Sequence, residues 1–326
     1  MANFIQQAYK GKNDWWRYLL TIILVFIGWQ VIGVIPLFFV AMSKANDMGE
    51  LLEASQDAFM SLGIDSNLYL FIMILTFFFG LISLLFSVKK IHLRSDKTLV
   101  TSRDKIDWKR VLYAFTLWFG ISLIVLAFDY SMNSENYIWN FKPVPFLILV
   151  LISFLFLPFQ TSFEELLFRG YFMQGLGVWF KNAAVPLMVT SITFGLMHGL
   201  NPEVEKLGSI VMIYYIGTGF LFGIITLMDE GTELALGLHA ANNVVAAVFV
   251  TMDWTVFQTD ALFIDTSEPS ADIEMFLPVL VLYPLVIFIF SKKYGWDNWK
   301  QKLFGKIKAP EILMEGTSID QNISEY

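Results

Sequence analysis

Phe163-Glu164-Glu165-Leu166-Leu167-Phe168-Arg169-Gly170 closes a run of about twenty uncharged residues, Pro143 to Phe163, long enough to cross a bilayer. Two adjacent carboxylates and a guanidinium are costly there. Each costs roughly 2.5–3.5 kcal/mol at the centre of a membrane helix. Groups placed at such cost mark chemistry or an ion path, and they face protein or water rather than lipid. The remaining chain reads as the scaffold that holds this segment beside two histidines, His198 and His239.

The composition agrees with a membrane setting. Of 326 residues, 16% are charged, against about 25% in a soluble domain. The chain has no cysteine, which excludes disulfides, thiolate nucleophiles and cysteine-bound metals. Eight apolar segments follow one another: Tyr18–Met42, Asn67–Val88, Val111–Phe128, Pro143–Phe163, Asn182–Leu200, Leu207–Met228, Leu234–Met252 and Met275–Ser291. They lack the period-two alternation of barrel strands, so helices are expected. The fold class is therefore all-α: a polytopic helical bundle of about eight transmembrane helices.

Lys and Arg set the orientation. Eighteen of the twenty-two lie in the N-terminal flank, the 89–110 loop, the connection at Lys181 and the tail from Lys292 to Lys308. The alternate loops hold three, Lys44, Lys142 and Lys206, and Arg169 lies within a helix. Both termini are expected on the cytoplasmic side. The opening Met1–Trp16 lacks the pattern of a cleaved signal peptide. Trp296–Phe304 reads as a basic amphipathic helix on the cytoplasmic leaflet, and Glu311–Tyr326 as a flexible polar tail. The expected organisation is 1–142 for the first three helices, 143–252 for a core of four, 253–293 for an extracytoplasmic loop and the eighth helix, and 294–326 for the amphipathic segment and tail. There is no internal repeat, nucleotide-binding glycine motif or nucleic-acid patch. The expected partners are the lipid bilayer and a membrane-associated peptide or protein.

Glu165 and Arg169 are spaced i, i+4 and share a helix face in the favourable acid-before-base order. Glu164 is turned about 100° away. The simplest division pairs Glu165 with Arg169 and leaves Glu164 as a base. A blander reading makes all three a buried ion cluster that fixes helix packing. The chain has three histidines. His92 lies in the basic loop and reads as a surface residue. His198 and His239 lie within apolar segments, and His239 shares a face with Asn243, again i, i+4. Asn242 falls on a neighbouring face and reads as helix–helix glue. One difficulty is height. Glu164 and His198 each lie about 25 Å from a turn at Lys181, whereas His239 lies about 12 Å from a turn at Gly231. The three meet only if the Lys181 hairpin reaches further out than the Gly231 turn.

Glu164-Glu165…Arg169, Phe194…His198 and His239…Asn243 together resemble the signature of the CPBP intramembrane proteases. That family includes the type II CAAX prenyl endopeptidases and the bacterial bacteriocin-immunity (Abi) proteins. The resemblance covers roughly Pro143 to Met252. It implies an intramembrane endopeptidase of a bacterial cell membrane, with a water-filled cavity reached from the cytoplasmic side. It further implies that Glu164 and His198 bind and activate a water, that His239 and Asn243 stabilise the oxyanion, and that Arg169 holds Glu165 in support. The preferred mechanism needs no cofactor. The open alternative is a zinc site ligated by Glu164, His198 and His239, because the family has been described both as metalloproteases and as glutamate proteases. Two other functions compete with proteolysis: a non-catalytic membrane scaffold or immunity factor, and a proton-coupled transporter using the glutamates.

Overall fold

In the computed structural model, residues 3–270 and 273–309 are described; the polar tail read from the sequence lies outside them. The architecture is a helical bundle. By length and composition, five helices among the described residues can cross a membrane: α1 (Trp15–Lys44), α2 (Ser66–Lys90), α3 (Trp108–Met132), α4 (Pro143–Phe180) and α6 (Ser209–Asp229). The other three apolar segments are also helical. They are α5 (Ala184–Met197), α7 (Glu233–Val248) and α8 (278–294), the last opening as a π-turn. The fourteen residues of α5 rise only about 21 Å, short of a bilayer core of about 30 Å.

Local chemistry sets the helix ends. The side chains of Asp65 and Asp107 accept from the backbone N–H groups of Leu68 (3.0 Å) and Lys109 (3.1 Å), capping α2 and α3. Pro143 opens α4, where its missing N–H costs nothing. Lys181 and Glu230 end α4 and α6 in the left-handed conformation.

At one end of the bundle a small sheet joins the loops. β1 (Tyr137–Trp139) pairs antiparallel with β3 (Phe263–Asp265), which pairs in parallel with β2 (Val250–Thr251). β1 and β3 fall in stretches that the sequence presents as loops, whereas β2 takes the end of the expected Leu234–Met252 helix, which stops at Val248. At the opposite end, the segments rich in Lys and Arg gather. His92 O accepts from the Lys12 N–H (2.8 Å), Val100 O from the Thr232 N–H (2.7 Å), and Lys181 O from the Ile307 N–H (3.0 Å).

This basic end resolves the height difficulty. α4 is continuous for 38 residues, about 57 Å by rise per residue. Gly170, midway along its second half, lies against Leu99, whose backbone oxygen is 2.7 Å from where a Cβ on Gly170 would sit. The neighbouring Thr101 bridges to Gly231. The Gly231 turn is therefore level with Gly170, and the last turns of α4 project beyond it. There Gly177 meets Ile5 and Gly175 meets Tyr18, while Gln174 accepts from Arg94 (2.6 Å) and donates to Thr98 O (2.7 Å).

Two expectations change at this end. His92 is buried, with 1% of its surface exposed. Its Nδ1 bonds the Lys12 carbonyl (2.8 Å) and its Nε2 the Tyr171 hydroxyl (2.8 Å). The carbonyl only accepts, so the proton is on Nδ1 and Nε2 receives the Tyr171 O–H. The 296–304 segment is docked into the bundle as well. Trp296 and Leu303 are buried, and the Trp296 indole donates to Asp229 (3.1 Å). Asp229 also receives Arg103 (2.9 Å) and Arg110, and Glu233 receives Arg103 (3.0 Å). These ion pairs hold the α6–α7 turn and so the start of the helix that carries His239.

Burial pushes the His92 imidazole down to about 4, with the charges of Arg94 and Arg17 acting in the same direction. An unfolded histidine titrates near 6.5. Between about pH 6.5 and 4 the unfolded state therefore holds the extra proton, so stability falls as pH drops through this window and levels off below it. Thermal unfolding across that range is expected to show the slope, and His92→Phe is expected to flatten it.

Candidate active site

The site forms where α4 packs against α5, α6 and α7, with α6 also touching α5 and α7, and α3 packed behind α7. α4 supplies two stacked i, i+4 pairs. Gln160 Nε2 donates to Glu164 Oε1 (2.5 Å), and Arg169 Nη1 donates to Glu165 Oε1 (3.1 Å). Immediately after the glutamates the helix widens into a π-turn, Leu166–Phe172. Such turns concentrate at functional sites, and this one carries Arg169.

The two glutamates occupy different surroundings. Glu165 and Arg169 are both fully buried. Besides Arg169, Glu165 Oε1 receives His239 Nδ1 (2.8 Å). Arg169 Nη2 donates to the Gly219 carbonyl on α6 (3.1 Å), and its guanidinium lies 4.2 Å from the Phe194 ring centroid and 5.2 Å from that of Phe222. Charge, hydrogen bonds and cation–π contacts together offset the burial of this pair, although Arg169 Nε and Glu165 Oε2 make no hydrogen bond. Glu164 retains 13% exposure. Its Oε2 has no hydrogen-bond partner and lies 3.7 Å from His239 Nε2.

Both histidines have assigned tautomers by partner chemistry. His239 gives its Nδ1 proton to Glu165, which leaves Nε2 directed at Glu164. Phe222 stacks on its ring at 4.9 Å, with Phe194 edge-on at 6.0 Å. His198 caps α5, and its Nδ1 donates to the Phe194 carbonyl (2.8 Å), leaving the Nε2 lone pair free. Its ring stacks on Tyr215 at 4.6 Å. Phe194 thus touches His198, His239 and Arg169 at once. The aromatic residue of the Phe194…His198 motif is the packing centre between the two histidines.

The ion pair Glu165–Arg169 read from the sequence is present, as is the shared face of His239 and Asn243 on α7. Asn242 bonds the Trp118 indole on α3 (3.2 Å), an interhelical bond in keeping with its reading as glue. The sequence reading missed the His239–Glu165 bond and missed Gln160, which joins Asn243 (2.9 Å) to Glu164. The signal for Gln160 was its position one turn before Glu164 in an otherwise apolar run. As a zinc site, Glu164, His198 and His239 carry suitable lone pairs. Among the described residues, however, no three His, Asp or Glu side chains are grouped to hold an ion.

The helices close tightly behind the site. A Cβ on Gly219 would lie 2.3 Å from the Ser191 backbone oxygen on α5, while the Gly219 carbonyl accepts from both Ser191 Oγ (3.0 Å) and Arg169. Gly219→Ala is expected to separate α5 from α6 and cost about 1–3 kcal/mol, measured as a lower unfolding temperature in detergent.

Part of the chain is similar to a recognised family. Residues 143–245 match the family model described as "Type II CAAX prenyl endopeptidase Rce1-like". The stretch that builds the site is an Rce1-like domain, consistent with the CPBP proteases, set in a helical membrane protein. Among curated proteins, the chain is 29% identical over 263 residues to "Uncharacterized protein YyaK" of Bacillus subtilis (strain 168), covering 79% of this chain and 85% of that one. No solved structure matches.

Proposed function

We propose that the protein is an intramembrane endopeptidase that hydrolyses a peptide bond of a membrane-associated or lipid-anchored substrate, with Glu164 as general base. The observation that carries this reading is the division of labour between two adjacent carboxylates. Glu165 is fully buried and bonded through Oε1 to Arg169 and His239, while Glu164 keeps 13% exposure, is bonded by the neutral Gln160 amide, and holds Oε2 3.7 Å from His239 Nε2. The Rce1-like match supports the reaction class and the lipid-anchored substrate. The relative from Bacillus subtilis supports a bacterial membrane.

In this mechanism Glu164 Oε2 takes a proton from a water as the water oxygen attacks the scissile carbonyl carbon. His198 Nε2 accepts the second hydrogen of that water and so orients it. Asn243 has one amide N–H bonded to Gln160 and a second to offer the developing oxyanion. His239 lies beside the same oxygen and donates to it from Nε2 when that nitrogen carries a proton, while Nδ1 remains on Glu165. One such donor is worth roughly 2.7–4 kcal/mol in the transition state. The proton held by Glu164 then passes to the leaving amide nitrogen as the C–N bond breaks, giving a carboxylic acid and an amine; the acid then loses its remaining proton to the amine or solvent.

The test is cleavage of a library of quenched peptides, with and without a prenyl or acyl anchor, by purified full-length protein, each arm with and without a chelator. Anchored peptides are expected to be cleaved, with the rate unchanged by chelator. Failure of a folded preparation to cleave any peptide would move the assignment to a membrane scaffold. Proton uptake driven by a solute gradient in liposomes would move it to a transporter.

A further inference from the structure

We propose that Gln160 is a positioning residue for Glu164, held in place by a one-way hydrogen-bond chain that begins at the indole of Trp118. The inference rests on the assignment of Glu164 as base. Trp118 Nε1 donates to Asn242 Oδ1 (3.2 Å), Asn242 Nδ2 to Asn243 Oδ1 (3.2 Å), Asn243 Nδ2 to Gln160 Oε1 (2.9 Å), and Gln160 Nε2 to Glu164 Oε1 (2.5 Å). The chain crosses from α3 through α7 to α4.

Its direction follows from chemistry at the two ends. An indole N–H only donates, and an ionised carboxylate only accepts. Three amides lie between, each with a donor and an acceptor end. Turning any one of them around sets donor against donor or acceptor against acceptor at both of its contacts. The ends therefore fix all three orientations, which a lone amide in an apolar helix could not do for itself. Trp118 is 4% exposed, so water does not compete for its N–H.

Three consequences bear on the reaction. Glu164 Oε1 is occupied by a charge-assisted bond, so Oε2, buried and without a partner, is the oxygen left for the reacting water. The carboxylate plane is fixed relative to His239. Asn243 is oriented with its NH2 group toward Gln160, so its remaining N–H, rather than its carbonyl, is offered to substrate. A chain of aligned donors also strengthens its own last bond. The competing view is that Gln160 only fills space between α4 and α7.

Gln160→Met separates the two, because it keeps the volume and removes the donor. The assay uses full-length protein in detergent and the peptide that the wild type cleaves best. Gln160→Met is expected to lower kcat by about ten- to a hundredfold, the range for losing a hydrogen bond to a charged group, with KM within about twofold. Trp118→Phe, which keeps a ring and removes only the distant donor, is expected to lower kcat less. The two together are expected to fall short of the product of their separate effects. In a Glu164→Gln background, Gln160→Met is expected to lower the residual rate by much less than it lowers the wild-type rate.

A second readout needs no turnover. With 13C-labelled glutamate, the infrared carboxylate band lost in Glu164→Gln belongs to Glu164, and Gln160→Met is expected to shift it. An unmoved band, or wild-type kcat in Gln160→Met, overturns the proposal. If the wild type cleaves no peptide, the protease assignment fails by itself, and the band still decides whether Gln160 positions Glu164. If Gln160→Met does not fold, the same band in Trp118→Phe decides it.

Discussion

Glu164→Gln is expected to abolish most peptide hydrolysis, lowering kcat by about 10²- to 10⁴-fold, the usual contribution of a general base, without disturbing the fold. The substituted amide keeps an oxygen to accept from Gln160 Nε2, which now lies 2.5 Å from Glu164 Oε1. Its other end replaces Glu164 Oε2, which stands 3.7 Å from His239 Nε2 and makes no hydrogen bond. No buried group loses a partner, so the unfolding temperature should stay near that of the wild type. Kinetics and thermal unfolding of the same preparation check both halves of the expectation.

Arg169→Met is expected to do the opposite and act first on stability. It leaves a fully buried Glu165 carboxylate without its guanidinium, at a cost of about 3–5 kcal/mol. It also removes a donor from the Gly219 carbonyl and so loosens the tie to α6. Adding Glu165→Leu to Arg169→Met removes the stranded charge. The double variant should therefore recover much of the lost stability, since an apolar pair of similar volume often replaces a buried ion pair without loss. Activity should not return, because His239 then lacks the acceptor that orients its ring. A stability rescue without an activity rescue, seen by thermal unfolding and peptide cleavage, distinguishes a supporting pair from a mere packing cluster.

Adjacent residues of one type thus have opposite expected phenotypes, and the sequence contained the reason in part. The i, i+4 spacing of Glu165 and Arg169 identified their pairing, and a turn of about 100° set Glu164 apart. The helical positions were legible as well, because an apolar run with no period-two alternation has little choice but to be helical in lipid. What was not legible is non-local. His92 looks like a surface residue in its basic loop, and only Tyr171 from α4 and the Lys12 carbonyl make it a buried one. Trp296 fits an amphipathic segment, yet its buried indole N–H donates to Asp229. The strands at 137–139, 250–251 and 263–265 are too short to carry a pattern and exist only through one another.

Gln160 shows the same limit at the site itself. A lone glutamine in an apolar helix gives no indication of what it meets, and its partner Asn243 is 83 residues away. The height mismatch between Glu164 and His239 also had a non-local answer. The Leu99–Thr101 segment touches Gly170 and the Gly231 turn together, which sets α7 level with the middle of α4 rather than with its end.

The most direct test of the central claim is cleavage of an anchored peptide in H₂¹⁸O, read by mass spectrometry of both fragments. The account predicts that the new carboxyl terminus gains one ¹⁸O from solvent, with wild-type protein producing the fragments and Glu164→Gln yielding almost none. Intact peptide after incubation with folded wild-type protein, or undiminished labelled product from Glu164→Gln, would contradict it.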